Sequence, residues 1–493
     1  MTAALSRSEA WSLLALSSTC LGIFVNTFQG DGAPLIVSLA FSGLAYSVTY
    51  ALIRWLGPTF IGAGLKGKDM SKAIKKEIPE TMGAVAASIY LLILIAFIPF
   101  PFYKDIVAAT SGGGNRDVVV QAAEVETGRF LHRFPHSKLS AYLSALLTLH
   151  TTTLLGITDD ILDLRWRHKV LIPALASLPL LLVYYVDFGV TSIVIPRFLL
   201  PYIPNTSITN SESGLIHLGP LYYVYMAALS IFAPNSINIL AGINGIEVGQ
   251  SIVVAVLLML NSSLYLIPFP GNPILGSSPP PREYPHPATD SHLFTLYLLL
   301  PFLGVSIALY THNRYPARVF VGDTYCYFAG MVFAVVGILG HFSKTLLLLL
   351  IPQIINFLYS SPQLFKLIPC PRHRLPKYNA RTNLLEPSVT EYPAERPPSN
   401  FQTMTLTALA KMHLLEIQID PETNNIRSST NFTILNLWLV WFGPMREDKL
   451  ALGLLSMQTA FGLLGLFVRH RMALWIFSLD NRGFPGWGEG SAV

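Results

Sequence analysis

Long uninterrupted apolar runs constrain this chain more than any other feature. They recur in blocks of roughly 18 to 24 residues, each long enough as a helix to cross a ~30 Å hydrocarbon core. A soluble core would not need so many. Composition agrees, since of 493 residues 52% are hydrophobic and 12% charged, about half the charged share of a typical soluble domain. The expectation is an all-α polytopic membrane protein.

Candidate helices lie near 33–55, 82–100, 139–157, 170–187, 219–239, 247–267, 292–310, 325–340, 344–367 and 448–468. That makes about ten spans. The apolar stretch at 9–27 would be an eleventh; it lacks a convincing basic start, with Arg7 alone before it, and a small-residue cleavage site, and is read as an uncleaved span. Residues 1–32 form an N-terminal extension, 33–370 a transmembrane core, 371–446 a polar insert and 447–493 the last helix with its tail. Within the insert, LLEIQID and IRSSTNF about PETNN read as two short strands and predict a small α/β lobe. The proline-rich 269–289 reads as a loop.

Alternation of the ten spans places loops 56–81, 158–169, 240–246, 311–324 and 368–447 on one side. These hold Lys66, Lys68, Lys72, Lys75, Lys76, Arg165, Arg167, Lys169, Arg314, Arg318, Arg372, Arg374 and Lys377. The positive-inside rule makes that side cytosolic, with Arg469 and Arg471 against the trend. Of three N-x-[ST] sequons, Asn205, Asn261 and Asn431, only Asn205 falls on the lumenal side. Cys20, Cys326 and Cys370 have no metal-like or disulfide spacing. A net charge of +5 over this length gives no sign of nucleic acid.

The polar motifs gather on the cytosolic loops. TDDILDLRWRHK carries Asp159, Asp160, Asp163 and Lys169, with Asp159 and Asp163 on one face if the helix continues. PNSINILAGINGIEVG places Asn235, Asn238 and Asn244 where a span meets the cytosol, and Gly242 and Gly245 could let backbone approach a ligand. NRYPARVFVGDT sets Phe320 and Asp323 before another span, and PCPRHRLPKYN clusters Arg372, His373 and Arg374. Each has a bland reading: a solvated charge cluster, interhelical hydrogen bonding, a helix cap, or attraction to anionic headgroups. Together they point to a nucleotide-diphosphate and metal site. No Walker loop, GxGxxG, HExxH or GxSxG is present.

The strings GKDMSK, IPETMGA, DDILDLRWRHK, NSINILAGINGIEVGQS, RVFVGDTYCYFAGMVFAVVGILGHFSKT and PCPRHRLPKYN, between Gly64 and Arg471, closely resemble a family. It is the polyprenyl-phosphate sugar-1-phosphate transferases of glycosyltransferase family 4, in their eukaryotic, fungal-like branch that moves GlcNAc 1-phosphate from UDP-GlcNAc to dolichyl phosphate. The resemblance implies a multi-pass protein of the endoplasmic reticulum with a cytosolic site, and a homodimer. It implies one Mg²⁺ on Asn238 and Asp323, with Lys169, Arg372, His373 and Arg374 holding diphosphate and sugar. Phe320 would stack on uracil and Asn244 bond to it; Asn235 shares that motif, and Asp69 and Glu80 would close the nucleotide end. Asp159 and Asp160 would lie nearest the lipid phosphate, positioning it rather than abstracting a proton. The alternative is transfer of another UDP-sugar or to another polyprenyl phosphate. A nucleotide-sugar transporter would show internal repeats and a midplane site, and neither is visible.

Overall fold

The computed structural model describes residues 5–29, 33–73, 75–103, 106, 135–165, 169–202, 209–210, 214–266, 287–371, 374–393, 397–421 and 425–477. Helix α1 (Arg7–Gln29) lies along α2 (Pro34–Gly62), and its Cys20 is buried where Gly43 leaves room for the sulfur. A short antiparallel hairpin follows, β1 (Lys66–Lys68) pairing with β2 (Glu77–Pro79). Next come α3 (Gly83–Phe97), α4 (His136–Leu162), the one-turn α5 (Ile172–Ala176) and α6 (Leu178–Asp187). A three-stranded sheet of β3 (Ser192–Val194), β4 (Thr209–Asn210) and β5 (Leu215–His217) precedes α7 (Pro220–Ile239) and α8 (Ile246–Leu266). Then α9 (Pro287–Asn313), α10 (Gly322–Leu339), α11 (Ser343–Leu349) and α12 (Ile351–Leu364) complete the core.

The span count is corrected. Among the described residues seven helices are long and apolar enough to cross a membrane, or up to eight if the bent pair α11–α12 is one span. About ten, or eleven with the N-terminal stretch, is therefore too many. The stretch at 82–100 yields a helix of only 15 residues. That at 170–187 breaks at Ser177 into pieces of 5 and 10 residues, with Pro179 in the first turn of the second piece, where its fixed φ and missing N–H favour a helix start. Helix α7 interrupts its apolar sequence with Tyr222, Tyr223, Tyr225, Pro234, Asn235 and Asn238 and does not qualify. The 344–367 run bends by 69° at Leu350. The N-terminal stretch does form a qualifying helix, over Arg7–Thr27.

Helix α10 is the hub, with every residue from Thr324 to Leu339 buried. It is ringed by α3, α4, α7, α8 and α9. Phe328 packs edge-on to Tyr90 at 5.0 Å, and Phe333 edge-on to Phe302 at 5.4 Å. Small residues set the approach: a Cβ on Gly156 of α4 would lie 2.5 Å from the Thr324 Cα, so the two backbones touch as membrane helices commonly do at small residues.

The insert is a docked lobe. Its hairpin β6 (Lys377–Asn379) and β7 (Leu384–Glu386) lies before β8 (Val389–Glu391), α13 (Asn400–Lys411), β9 (Ile417–Ile419) and β10 (Ile426–Thr430), the last three strands forming a sheet in the order β8-β10-β9. Helix α14 (Ile434–Phe442) then leads to the final span α15 (Glu447–Phe467). Gln363 of α12 anchors the lobe, donating to Asn431 Oδ1 at 2.9 Å and accepting from the Phe432 N–H at 2.9 Å. Across the core, Gln353 of α12 donates to Gln250 of α8 at 2.9 Å and Gln458 of α15 at 2.7 Å. These interhelical bonds tie the last span to the hub's neighbours.

Candidate active site

Helix termini build the site. The C-terminal ends of α2, α4, α7 and α9 meet the N-terminal ends of α8, α10 and α15, and the β1–β2 hairpin closes against the Phe320 segment. Phe320 donates its N–H to Pro79 at 2.8 Å and accepts from Met82 at 3.1 Å. Contacts thus gather the polar motifs at one end of the bundle without reference to span parity.

Asp159 and Asp160 are neighbours on α4 and face different partners. Asp159, buried, takes the Lys169 ammonium at 2.7 Å on one oxygen and the Leu164 N–H at 3.0 Å on the other. Lys169 also reaches Asp323 at 3.1 Å. Burial alone would push the lysine pKa down; the paired carboxylates outweigh it and hold the ammonium above its ordinary value. It is a fixed cation. Asp163 does not share the Asp159 face, because the helix ends at Leu162 and Asp163 caps it in a left-handed conformation, φ 47°.

Asp160 has a different task. The first turn of α10 has unpaired N–H groups and no side-chain cap of its own. Asp160 supplies one from outside: one oxygen accepts the Asp323 N–H at 2.6 Å, and the other accepts the Thr324 N–H at 3.2 Å and hydroxyl at 2.6 Å. Gly322, at φ +71°, makes the turn into α10, and any Cβ there would collide with the Asp160 carboxylate. Since Asp160 does the capping, Asp323 is left free to face Lys169 and Asn238.

Glu80 lies on the same side. Burial, with Asp160 and Asp323 nearby, raises its pKa above the usual glutamate value. Its carboxylate and the Phe320 ring flank Gly67, where a Cβ would meet them at 3.1 and 2.8 Å.

A second cluster continues from Asn244. Its Oδ1 accepts from Lys72 Nζ at 3.0 Å and from the Ala317 N–H at 3.0 Å, and its own N–H donates to Glu447 at 2.7 Å. Lys72 pairs with Glu447 and, at 3.3 Å, with Asp69, and lies 4.3 Å from the centre of the Tyr315 ring. Glu247 bridges to this loop by accepting the Gly242 N–H at 2.9 Å.

Two predicted residues, Arg372 and His373, lie outside the described residues. Arg374 is described: its carbonyl accepts from Asn436 at 2.8 Å, its Nη1 is buried with no hydrogen-bond partner among the described residues, and burial lowers its pKa. The next residue, Leu375, packs on Gly242 and so docks this segment against the Asn238–Asn244 loop. The Asn235 amide NH₂ donates back to Ile231 of its own helix at 2.8 Å. Three residues escaped the motif reading: Lys72, counted only as a topological charge, Glu247 and Glu447. The available signal was an acid in the first turn of each of two apolar spans, a costly placement unless the acid has partners.

The profile described as glycosyl transferase family 4 matches residues 142–341. The chain is 52% identical over 463 residues, covering 94% of it and 97% of the relative, to the UDP-N-acetylglucosamine–dolichyl-phosphate N-acetylglucosaminephosphotransferase of Saccharomyces cerevisiae. It is 46% identical to the protein of that name from Schizosaccharomyces pombe, over 94% and 97% of the two chains. The Dictyostelium discoideum counterpart is 38% identical over 88% and 89%. The matched profile includes Asp159, Asp160, Lys169, Asn238, Asn244, Phe320 and Asp323, so the cluster at the bundle's end lies within the shared region. At this identity over almost the whole length, the chain belongs to glycosyl transferase family 4, alongside these N-acetylglucosaminephosphotransferases.

Proposed function

We infer that this multi-pass membrane protein transfers GlcNAc 1-phosphate from UDP-GlcNAc to dolichyl phosphate, the first step in building the lipid-linked oligosaccharide for protein N-glycosylation. The observation that carries this is 52% identity across 94% of the chain to a relative of that name. An oxygen of the lipid phosphate forms a new bond to the β-phosphorus, the bond from that phosphorus to the bridging oxygen breaks, and UMP leaves. A phosphate monoester has a second pKa of roughly 6 and is mostly ionised at neutral pH. The difficulty is therefore to bring two anions together.

The residues suit that task. Lys169 stays charged between Asp159 and Asp323 and would face the reacting phosphates. Arg374, with Arg372 and His373, would hold the diphosphate and sugar. Phe320 would stack on uracil, Asn244 would bond to it, and Asp69 and Glu80 would close that end. Asp159 and Asp160 would position rather than abstract, a reading supported by the hydrogen bonds that each carboxylate accepts from its neighbours. Among the described residues no three His, Cys, Asp or Glu side chains form a metal cluster. Still, Asp323 and Asn238 adjoin and offer hard oxygen donors in a pocket that already stabilises a cation. They would hold Mg²⁺, with diphosphate and water completing its shell. When bound, the ion supplies charge neutralisation on the diphosphate.

A cytosolic site in the endoplasmic reticulum membrane is supported by the basic residues at this end, among them Lys66, Lys68, Lys72, Arg314, Arg318, Arg374 and Lys377. The homodimer implied by the resemblance belongs to the same reading. The test is UMP release by detergent-purified protein from UDP-GlcNAc and dolichyl phosphate, with Mg²⁺ and with a chelator. Release only with another UDP-sugar or acceptor would move the activity elsewhere in the class.

A further inference from the structure

We propose that Glu447, the first residue of the last span, is a positioning residue for nucleobase recognition, acting through Lys72 on the Asn244 amide. The inference rests on the functional reading above, in which Asn244 bonds to uracil.

Four stretches far apart in sequence meet at one ammonium. Lys72 follows β1, Asn244 lies between α7 and α8, Tyr315 and Ala317 lie between α9 and α10, and Glu447 opens α15. Glu447 is 2% exposed at its side chain and Lys72 19%. One Glu447 oxygen accepts the Asn244 N–H at 2.7 Å and the other pairs with Lys72. Lys72 in turn donates to Asn244 Oδ1 at 3.0 Å, where the Ala317 N–H also donates at 3.0 Å.

Two donors on one amide oxygen settle which way the amide faces. An asparagine can present either a carbonyl or an NH₂ to a ligand, and the two differ only by a flip about its terminal torsion. Here the oxygen is occupied on the protein side, so the NH₂ is the group left to offer. An NH₂ placed at the 4-position complements the O4 carbonyl of uracil and opposes the 4-amino group of cytosine, the O2 carbonyl being common to both. Lys72 can hold the oxygen only while a buried anion fixes the ammonium, and Glu447 is that anion, with Asp69 assisting at 3.3 Å. Selection of uridine over cytidine nucleotides is thereby built partly from the final span, outside the residues matched by the family profile.

The experiment compares wild type with Glu447→Gln, Glu447→Asp, Lys72→Met and Lys72→Arg. It reads kcat, KM for each substrate, and inhibition by UMP and by CMP. Glu447→Gln and Lys72→Met should raise KM for UDP-GlcNAc roughly tenfold, the scale of one lost hydrogen bond. KM for dolichyl phosphate should hold and kcat change less than KM. The preference for UMP over CMP should collapse by a similar factor, while Glu447→Asp and Lys72→Arg recover part of it. Should Glu447→Gln not fold, Lys72→Met, with its partly exposed side chain, decides by the same ratio. An unchanged UMP-to-CMP ratio in a folded, active variant overturns the inference while leaving the function standing. Wild type that releases no UMP from UDP-GlcNAc overturns the function, and the inference with it.

Discussion

At the scale of single residues, the two adjacent aspartates of α4 divide their work by direction. Asp159 pairs with the fixed lysine, and Asp160 caps the helix that carries Asp323. Asp160→Asn would turn an amide NH₂ toward donors, so it should lower thermal stability by about 1 kcal/mol, in the range for a lost cap, as well as slow turnover. Because neither aspartate acts as a base in this scheme, the rate deficit of Asp159→Asn or Asp160→Asn should stay constant from about pH 6 to pH 9, a window that covers the second ionisation of the acceptor. Single-turnover rates recovering steeply with pH would instead identify a base, whose loss costs roughly 10²–10⁴-fold. For Asp323→Asn and Asn238→Ala the expectation is a fall in kcat of roughly 10²–10³-fold or more in folded protein, the scale seen when one group stabilising transition-state charge is removed. Near-wild-type turnover in either would take that residue out of the site. The donor types at these positions were readable in the motifs. That Asp323 is spared from capping was not, because the cap arrives from another helix.

Elements carry the geometry between those residues. The α4–α10 contact at Gly156 brings Asp160 to the N-terminus of α10. Gly156→Leu would force a side chain against backbone that cannot move aside, costing about 1–3 kcal/mol as overpacking does, and it should lower activity by displacing the cap. A thermal melt together with a kcat measurement checks this; wild-type values in both would mean the helices separate without consequence. Short elements were the least legible. Hydropathy reads 82–100, 170–187 and 219–239 as spans because it averages over residues. Helix length, a break at Ser177, and tyrosine and asparagine content decide otherwise.

For the whole molecule the cysteines provide a native probe of sidedness. Cys20 and Cys326 are buried and Cys370 is exposed, beside the Arg374 segment at the site's end. A membrane-impermeant maleimide added outside sealed microsomes should label the protein at Cys370, and Cys370→Ser should abolish the signal. Labelling that requires the vesicles to be opened would put the site in the lumen. Glycosylation of Asn431 is a poorer reporter than its sequon implies. Its side chain is buried in the insert, held by Gln363, Thr390 and Ser388, so a missing glycan would follow from burial on either side.

The sequence by itself determined the medium, the class of chemistry and the residue types, because each is a property of composition or local spacing. Apolar runs demand lipid, and Asp, Asn, Lys and Arg at the ends of such runs demand partners that phosphates and a cation can satisfy. Only the tertiary structure decided which carboxylate faces which partner, that Asn235 turns back on its own helix, and that Glu447 reaches across some two hundred residues to the Asn244 backbone. The physical reason is that hydrogen bonds are directional and short. A shift of one helical position turns a side chain from a site to a cap, and whether two loops meet depends on how helices pack around α10, which no local pattern encodes.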